Sequence, residues 1–243
     1  MGTMAKSLHS GLGASHGVQA ALLARAGATA DEAILEAPLG LASATTAGDG
    51  ADWDVIVNQL GRPFELAGHL PLKKYPVCTP IHALLDALLS LTEENDIAWH
   101  DIEAVYGNLH EFSLFRGYPA DSLEAAFSPR FIVAAALVAG GFGLDELAVA
   151  SIEDERVREL AKKVRKSHDS TSVRLILKGG IELSARVGST PRLTDRAGIL
   201  AKYRACSSKA LSPEAGEESL KALQDLESLS SIRSLTALLH GRS

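Results

Sequence analysis

The sequence predicts an α+β protein laid out in three stretches: helical over 1–70, mixed over 71–190, and helical again over 191–243. Three observations carry this reading. An Ala-rich run with turn-spaced apolar residues dominates the first stretch, apolar–polar alternation occurs only in the second, and after Pro191 only helical spacing returns. No internal repeat is visible.

Taken in order, residues 12–26 read as a helix, with Val18, Leu22 and Arg25 on one row, Ala20, Ala21 and Ala24 permitting close packing, and Gly27 ending it. Thr29 and Glu32 have capping-box spacing, which predicts a second short helix stopped by Pro38. Residues 43–50, rich in Ala, Thr and Gly, read as a loop. Thr79 and Pro80 form a cap-plus-first-turn signal, so a helix should start there with His82 in its first turn. Residues 102–109 read as a strand, and 173–177 with 181–187 as a hairpin about Lys178-Gly179-Gly180. Between them, Ser128-Pro129 should cap a helix over 130–138, and 153–166 should form an amphipathic, charge-rich helix. Ser212-Pro213-Glu214 starts a helix with Leu220, Leu223 and Leu226 on one side, and a last short helix holds Leu235, Leu238 and Leu239.

Composition narrows the function classes. With 46% hydrophobic and 22% charged residues over 243 positions, the chain is an ordinary globular sequence. A net charge of −6 argues against a general binder of nucleic-acid phosphates, so small molecules or proteins are the expected partners. Cys78 and Cys206 lie far apart without metal-type spacing, which argues against a disulfide framework or zinc site and fits a reducing cytoplasm. The weakly polar run 131–144 is shorter than the roughly 18 residues a membrane helix needs. The N-terminus lacks the pattern of a secretory signal.

Several residues have the chemistry for a site. Lys6 and His9 precede the predicted first helix, where side chains can face a cleft. Lys73 and Lys74 precede Tyr75-Pro76, and an extended chain there would turn the two ammonium groups to opposite sides, so at most one faces a pocket. Each of these lysines also reads as a solvated surface charge. A helix N-terminus beside His82 would favour the neutral ring, as a proton carrier, a hydrogen-bond donor or a packed structural residue. Cys78 by itself reads as a small buried hydrophobe. The basic run Arg156, Arg158, Lys162, Lys163, Arg165 and Lys166 reads as a solvated helix face.

Two segments carry a resemblance. The opening segment Lys6-Ser-Leu-His9-Ser-Gly11 running into an Ala-rich helix, and Leu72-Lys73-Lys74-Tyr75-Pro76-Val77-Cys78-Thr79-Pro80-Ile81-His82, resemble the T-K-x-L-H-x-G and K-x-Y-P-C-C-x-x-T-H-like segments of the MmgE/PrpD family, and their separation also fits. That family includes methylcitrate dehydratase, cis-aconitate decarboxylase and iminodisuccinate epimerase. The resemblance implies a helical domain interrupted by an α+β lid, chemistry on a small polycarboxylate, and a homodimer, and nothing visible in the sequence requires a metal or organic cofactor. It makes Lys6 and Lys73 anion-stabilising groups with His82 as their pocket partner, and it places His9, Cys78 and Phe131 near substrate. Phe131 stands where several members have tyrosine, and phenylalanine donates no hydrogen bond. The family's upstream D-F-D-D-like segment has no counterpart, since no Asp-Asp pair occurs in the sequence. The isolated chain is therefore expected to be inactive or nearly so. The alternative is a non-catalytic remnant that binds a carboxylate or a protein partner.

Overall fold

Helix α1 begins earlier than its periodicity implies. In the computed structural model, which describes residues 2–46, 51–62, 64, 72–109 and 117–240, α1 spans Ala5–Arg25. Lys6 and His9 thus lie within its first two turns and not ahead of it. The predicted helix after Thr29 is replaced by turns, in which Asp31 accepts from the Ala33 amide. Helix instead occupies Leu41–Thr45 (α2) and Trp53–Asn58 (α3). The predicted loop 43–50 accordingly starts inside α2, and 47–50 fall outside the described residues.

The chain divides into two compact units, Thr3–Pro71 and a second containing Leu72–Ser243. The mixed segment and the C-terminal helices fall in the same unit.

In the second unit, a 3-10 turn at Thr79–Ile81 leads into α4, His82–Glu94. Thr79 makes no capping bond, so proline geometry and the preceding extended Cys78 start this helix. α4 buries His82, Leu84, Leu85, Ala87, Leu88 and Leu91 at helical spacing. Strand β1 (Ile102–Gly107) follows, then short α5 (Ser122–Ala125), α6 (Pro129–Ala139), α7 (Val149–Glu153) and α8 (Glu155–Lys163). Ser128 precedes α6 but does not cap it. Its hydroxyl donates to the Gly117 carbonyl at 2.8 Å. Gly140, in the left-handed region at φ 71°, ends α6 as C-terminal glycines do.

The predicted helix over 153–166 is broken on both sides. Asp154 separates α7 from α8 and caps α8 through the Arg156 amide, and Val164–Lys166 leaves the helix to become strand β2. Val164 pairs with Val105, so the backbone groups that would have continued the helix go to β1 instead. Strands β3 (Ser172–Leu177) and β4 (Glu182–Arg186) form the expected hairpin, with Gly179 and Gly180 at φ 82° and 79° in its turn. The sheet order is β2-β1-β3-β4, parallel between β2 and β1 and antiparallel elsewhere. This confirms the α+β class.

One core joins α4, α6 and α8 to the sheet through Leu85, Ile102, Phe131, Ile132, Leu160 and Leu175. Each such fully buried side chain contributes about 1.5–3 kcal/mol relative to exposure. Gly107 ends β1 against α4, and a Cβ there would run into the Leu84 side chain. After the sheet come α9 (Arg196–Ser207), α10 (Pro213–Gln224) and α11 (Ile232–Leu238). The leucine row expected on α10 is split: Leu220 is buried, Leu223 is exposed, and exposed Leu226 lies in a following 3-10 turn. Among the described residues, no helix is long and apolar enough to cross a membrane.

Candidate functional site

The segment from Lys73 to His82 gathers most of the residues singled out in the sequence. Lys73 is bridged to Arg192, and the Leu193 amide donates to the Leu72 carbonyl at 3.1 Å, so the backbone bearing Lys73 is held by the segment that follows β4. Only Lys73 is strand-like. Residues 74–77 bend, where the sequence predicts an extended run. That bend lets the Lys73 ammonium donate back to the Val77 carbonyl at 3.0 Å. Lys74 goes elsewhere, to the Asp86 carboxylate at 2.7 Å and over the Tyr75 ring. The Tyr75 hydroxyl donates to the same Asp86 oxygen; burial, then that hydrogen bond and the Asp86 charge, raise the Tyr75 pKa.

His82 is wholly buried at the start of α4. Its Nε2 lies 3.3 Å from the Val77 carbonyl, which only accepts, so Nε2 carries the proton. Nδ1 is buried without a partner. Burial lowers the pKa of the ring; the bond to Val77 and the Asp86 charge oppose that shift, while the nearby Lys73 and Lys202 charges add to it. A neutral imidazole results. Its ring meets Tyr75 edge-on, with centroids 5.4 Å apart. His82 has no exposed surface and shares the Val77 carbonyl with the Lys73 ammonium.

The other predicted site residues are placed differently. Cys78 is a half-buried free thiol directly ahead of the 3-10 turn. Phe131, expected beside substrate, is fully buried in the core with its ring edge-on to Tyr118 at 5.9 Å. It lies on the inward face of α6, where a phenyl ring without a polar group is most stable in the apolar layer. Lys6 and His9 are exposed on α1 in the other unit. The Lys6 carbonyl accepts from the Ser10 hydroxyl within that helix.

Sequence spacing missed Lys202 altogether. This lysine, on α9, donates its ammonium to the Lys73 carbonyl across 129 residues of chain. Nothing local marks it, because its partner is a backbone atom remote in sequence. Among the described residues, no group of three His, Cys, Asp or Glu side chains is placed to hold a metal ion.

A four-stranded mixed sheet backed by helices, with a bent lysine-bearing segment feeding a helix that starts on a buried histidine, defines an α+β domain. The MmgE/PrpD C-terminal domain matches residues 75–228, and the chain belongs to the MmgE/PrpD family. It is similar to the cis-aconitate decarboxylase of Homo sapiens, 27% identical over 269 residues that cover 99% of this chain and 54% of the relative. It is also similar to the cis-aconitate decarboxylase of Mus musculus, 24% identical over 262 residues, covering 99% and 53% respectively. The chain spans about half the length of these curated relatives.

Proposed function

We propose that the chain is the C-terminal part of an MmgE/PrpD-type lyase or isomerase acting on a small polycarboxylate. The reaction class is removal of a proton next to a carboxylate, as in dehydration or epimerisation, or loss of a carboxylate through a similar carbanion. Each route gathers negative charge on the substrate, and fixed ammonium groups stabilise that charge most where water is excluded. Lys73 is the group we assign to this role. Lys6 shares it on the strength of the motif. A homodimer goes with the same reading.

The observation that supports this most is the way Lys73 is held. Its backbone is anchored by Arg192, Leu193 and Lys202, and its ammonium uses one of three donors on Val77, which leaves two for a substrate carboxylate. His82 then acts as a positioning residue: its neutral ring donates to the same carbonyl and fixes the bend from which Lys73 projects. Since both relatives are named for decarboxylation of cis-aconitate, that compound is the first substrate to test.

Turnover is measured with the 243 residues alone and with the chain completed by an upstream half. The chain alone is expected to be nearly inactive, because catalytic groups that act as a unit do not contribute separately. In the completed protein, Lys73→Met should lower kcat by on the order of a hundredfold with a smaller effect on KM, whereas Lys74→Met should change little. Equal losses in the two variants would show a general charge effect and overturn the role of Lys73. Absence of turnover in both forms, on cis-aconitate and methylcitrate alike, would overturn the enzymatic reading.

A further inference from the structure

The two edge strands of the sheet are built differently. β2 is three residues long and ends in exposed Arg165 and Lys166, the short, charged pattern that keeps an edge from pairing with another chain. β4 is longer, pairs with β3 in unbroken register, and has neither a proline nor a bulge. The direction of its unused backbone groups follows from the bonds that flank it. The Leu177 amide donates to the Ile181 carbonyl and the Val187 amide to the Thr171 carbonyl, both at 2.8 Å. Residues 181, 183, 185 and 187 therefore turn their N–H and C=O groups toward β3, and Glu182, Ser184 and Arg186 turn theirs outward. Among the described residues, no backbone hydrogen bond reaches these outward groups.

Side chains alternate with the same period. Glu182, Ser184 and Arg186 lie on the exposed face, while Leu183, Ala185 and Val187 pack against the core. Ile181 continues the apolar row but is 57% exposed. Glu182 gives one carboxylate oxygen to Arg174 at 2.9 Å and keeps the other, and no ion pair among the described residues includes Arg186.

We propose that β4 is a self-association edge, at which two copies of this chain pair antiparallel across a two-fold axis at Ser184. Glu182 then lies opposite Arg186 of the second copy, and Ser184 lies opposite its equivalent. These outward pairs exchange both N–H···O bonds. Between them, the closer pairs without hydrogen bonds set Leu183 against Ala185 and Ile181 against Val187, which covers the exposed isoleucine. Charge selects this register. In the adjacent registers that keep the outward groups facing, both charges meet only serine and glycine, and in the next ones Glu182 meets Glu182 or Arg186 meets Arg186. The pairing uses no residue of the Lys73 segment and is independent of the reaction assigned above.

The test is sedimentation equilibrium of the 243-residue chain, run up to about 0.5 mM because one strand pairing lies below the standard interface size. A monomer–dimer equilibrium is expected. Glu182→Arg and Arg186→Glu should each weaken the dimer at least about tenfold, since each sets like charges opposite one another on both sides of the axis. An equimolar mixture of these two variants brings opposite charges together again and should recover dimer to within about threefold of the unaltered chain. A variant that had only lost its fold would not be rescued by mixing. Ser184→Pro removes an N–H that faces away from β3, so it should weaken the dimer while the β3–β4 hairpin persists. A monomer at every concentration overturns the proposal. So does a dimer that survives both charge reversals, because it is held by another surface, and a mixture no more dimeric than its components overturns the register.

Discussion

Two helices show how differently the two units of this chain are stabilised. α1 has 21 residues and buries none of them, leaving Leu8, Leu12, Val18, Leu22 and Leu23 exposed along its length. α6 has 11 residues and buries eight. α1 also contains Gly11, Gly13 and Gly17, each costing about 1 kcal/mol relative to alanine in a helix interior. With three glycines and no buried face, α1 has little from propensity or packing to hold it, whereas α6 is held by the eight residues it buries. Tertiary contact therefore stabilises the helices of the second unit far more than α1.

The largest expected effect sets Phe131 against Leu22. Phe131→Ala should cost about 3–5 kcal/mol, since it removes a fully buried ring from the layer between α6 and Tyr118. Leu22→Ala, on the half-exposed side of α1, should change stability by less than about 0.5 kcal/mol. Urea unfolding of both variants checks this. Comparable losses would show that the apolar residues of α1 are covered in solution.

Glycines sharpen the same contrast with opposite signs. Gly107→Ala should destabilise by about 1–3 kcal/mol, because the added Cβ meets the buried Leu84 side chain. Gly13→Ala has open space around it and should stabilise α1 by about 0.5–1 kcal/mol, visible as increased helicity in circular dichroism. A loss at Gly13 would mean that something packs closely against α1 there.

The smallest effect concerns pH. His82 has a pKa below its ordinary 6.5 in the folded protein, so as pH falls below about 6.5 the unfolded chain takes up this proton first. Stability should decline from there down to the folded-state pKa, and above 6.5 the group contributes no pH dependence. His82→Gln should flatten that part of the stability–pH curve. An unchanged curve would show that other groups set the acid limb.

Much of the fold was legible where local chemistry is decisive. Gly179-Gly180 permits the positive φ a tight turn needs, so the β3–β4 hairpin could be located, and proline before His82 marked the start of α4. The signals that misled were those that depend on a competitor. Thr29 and Glu32 had capping spacing, but turns closed by bonds such as Leu41 amide to Ile34 carbonyl occupy that region. The helical pattern over 153–166 ran through Val164, which the parallel edge of β1 claimed.

For the candidate site, the sequence by itself placed Lys73, Cys78 and His82 on one segment, while its expectation for the paired lysines assumed an extended run that a bend at 74–77 replaces. Tertiary structure decided the rest. It buried His82 against the Val77 carbonyl, put Phe131 into the core, and brought Lys202 to the Lys73 carbonyl from 129 residues away. The physical reason is that periodicity and caps are local properties of a chain, while burial, shared acceptors and the charges facing a group depend on which distant segments fold against it.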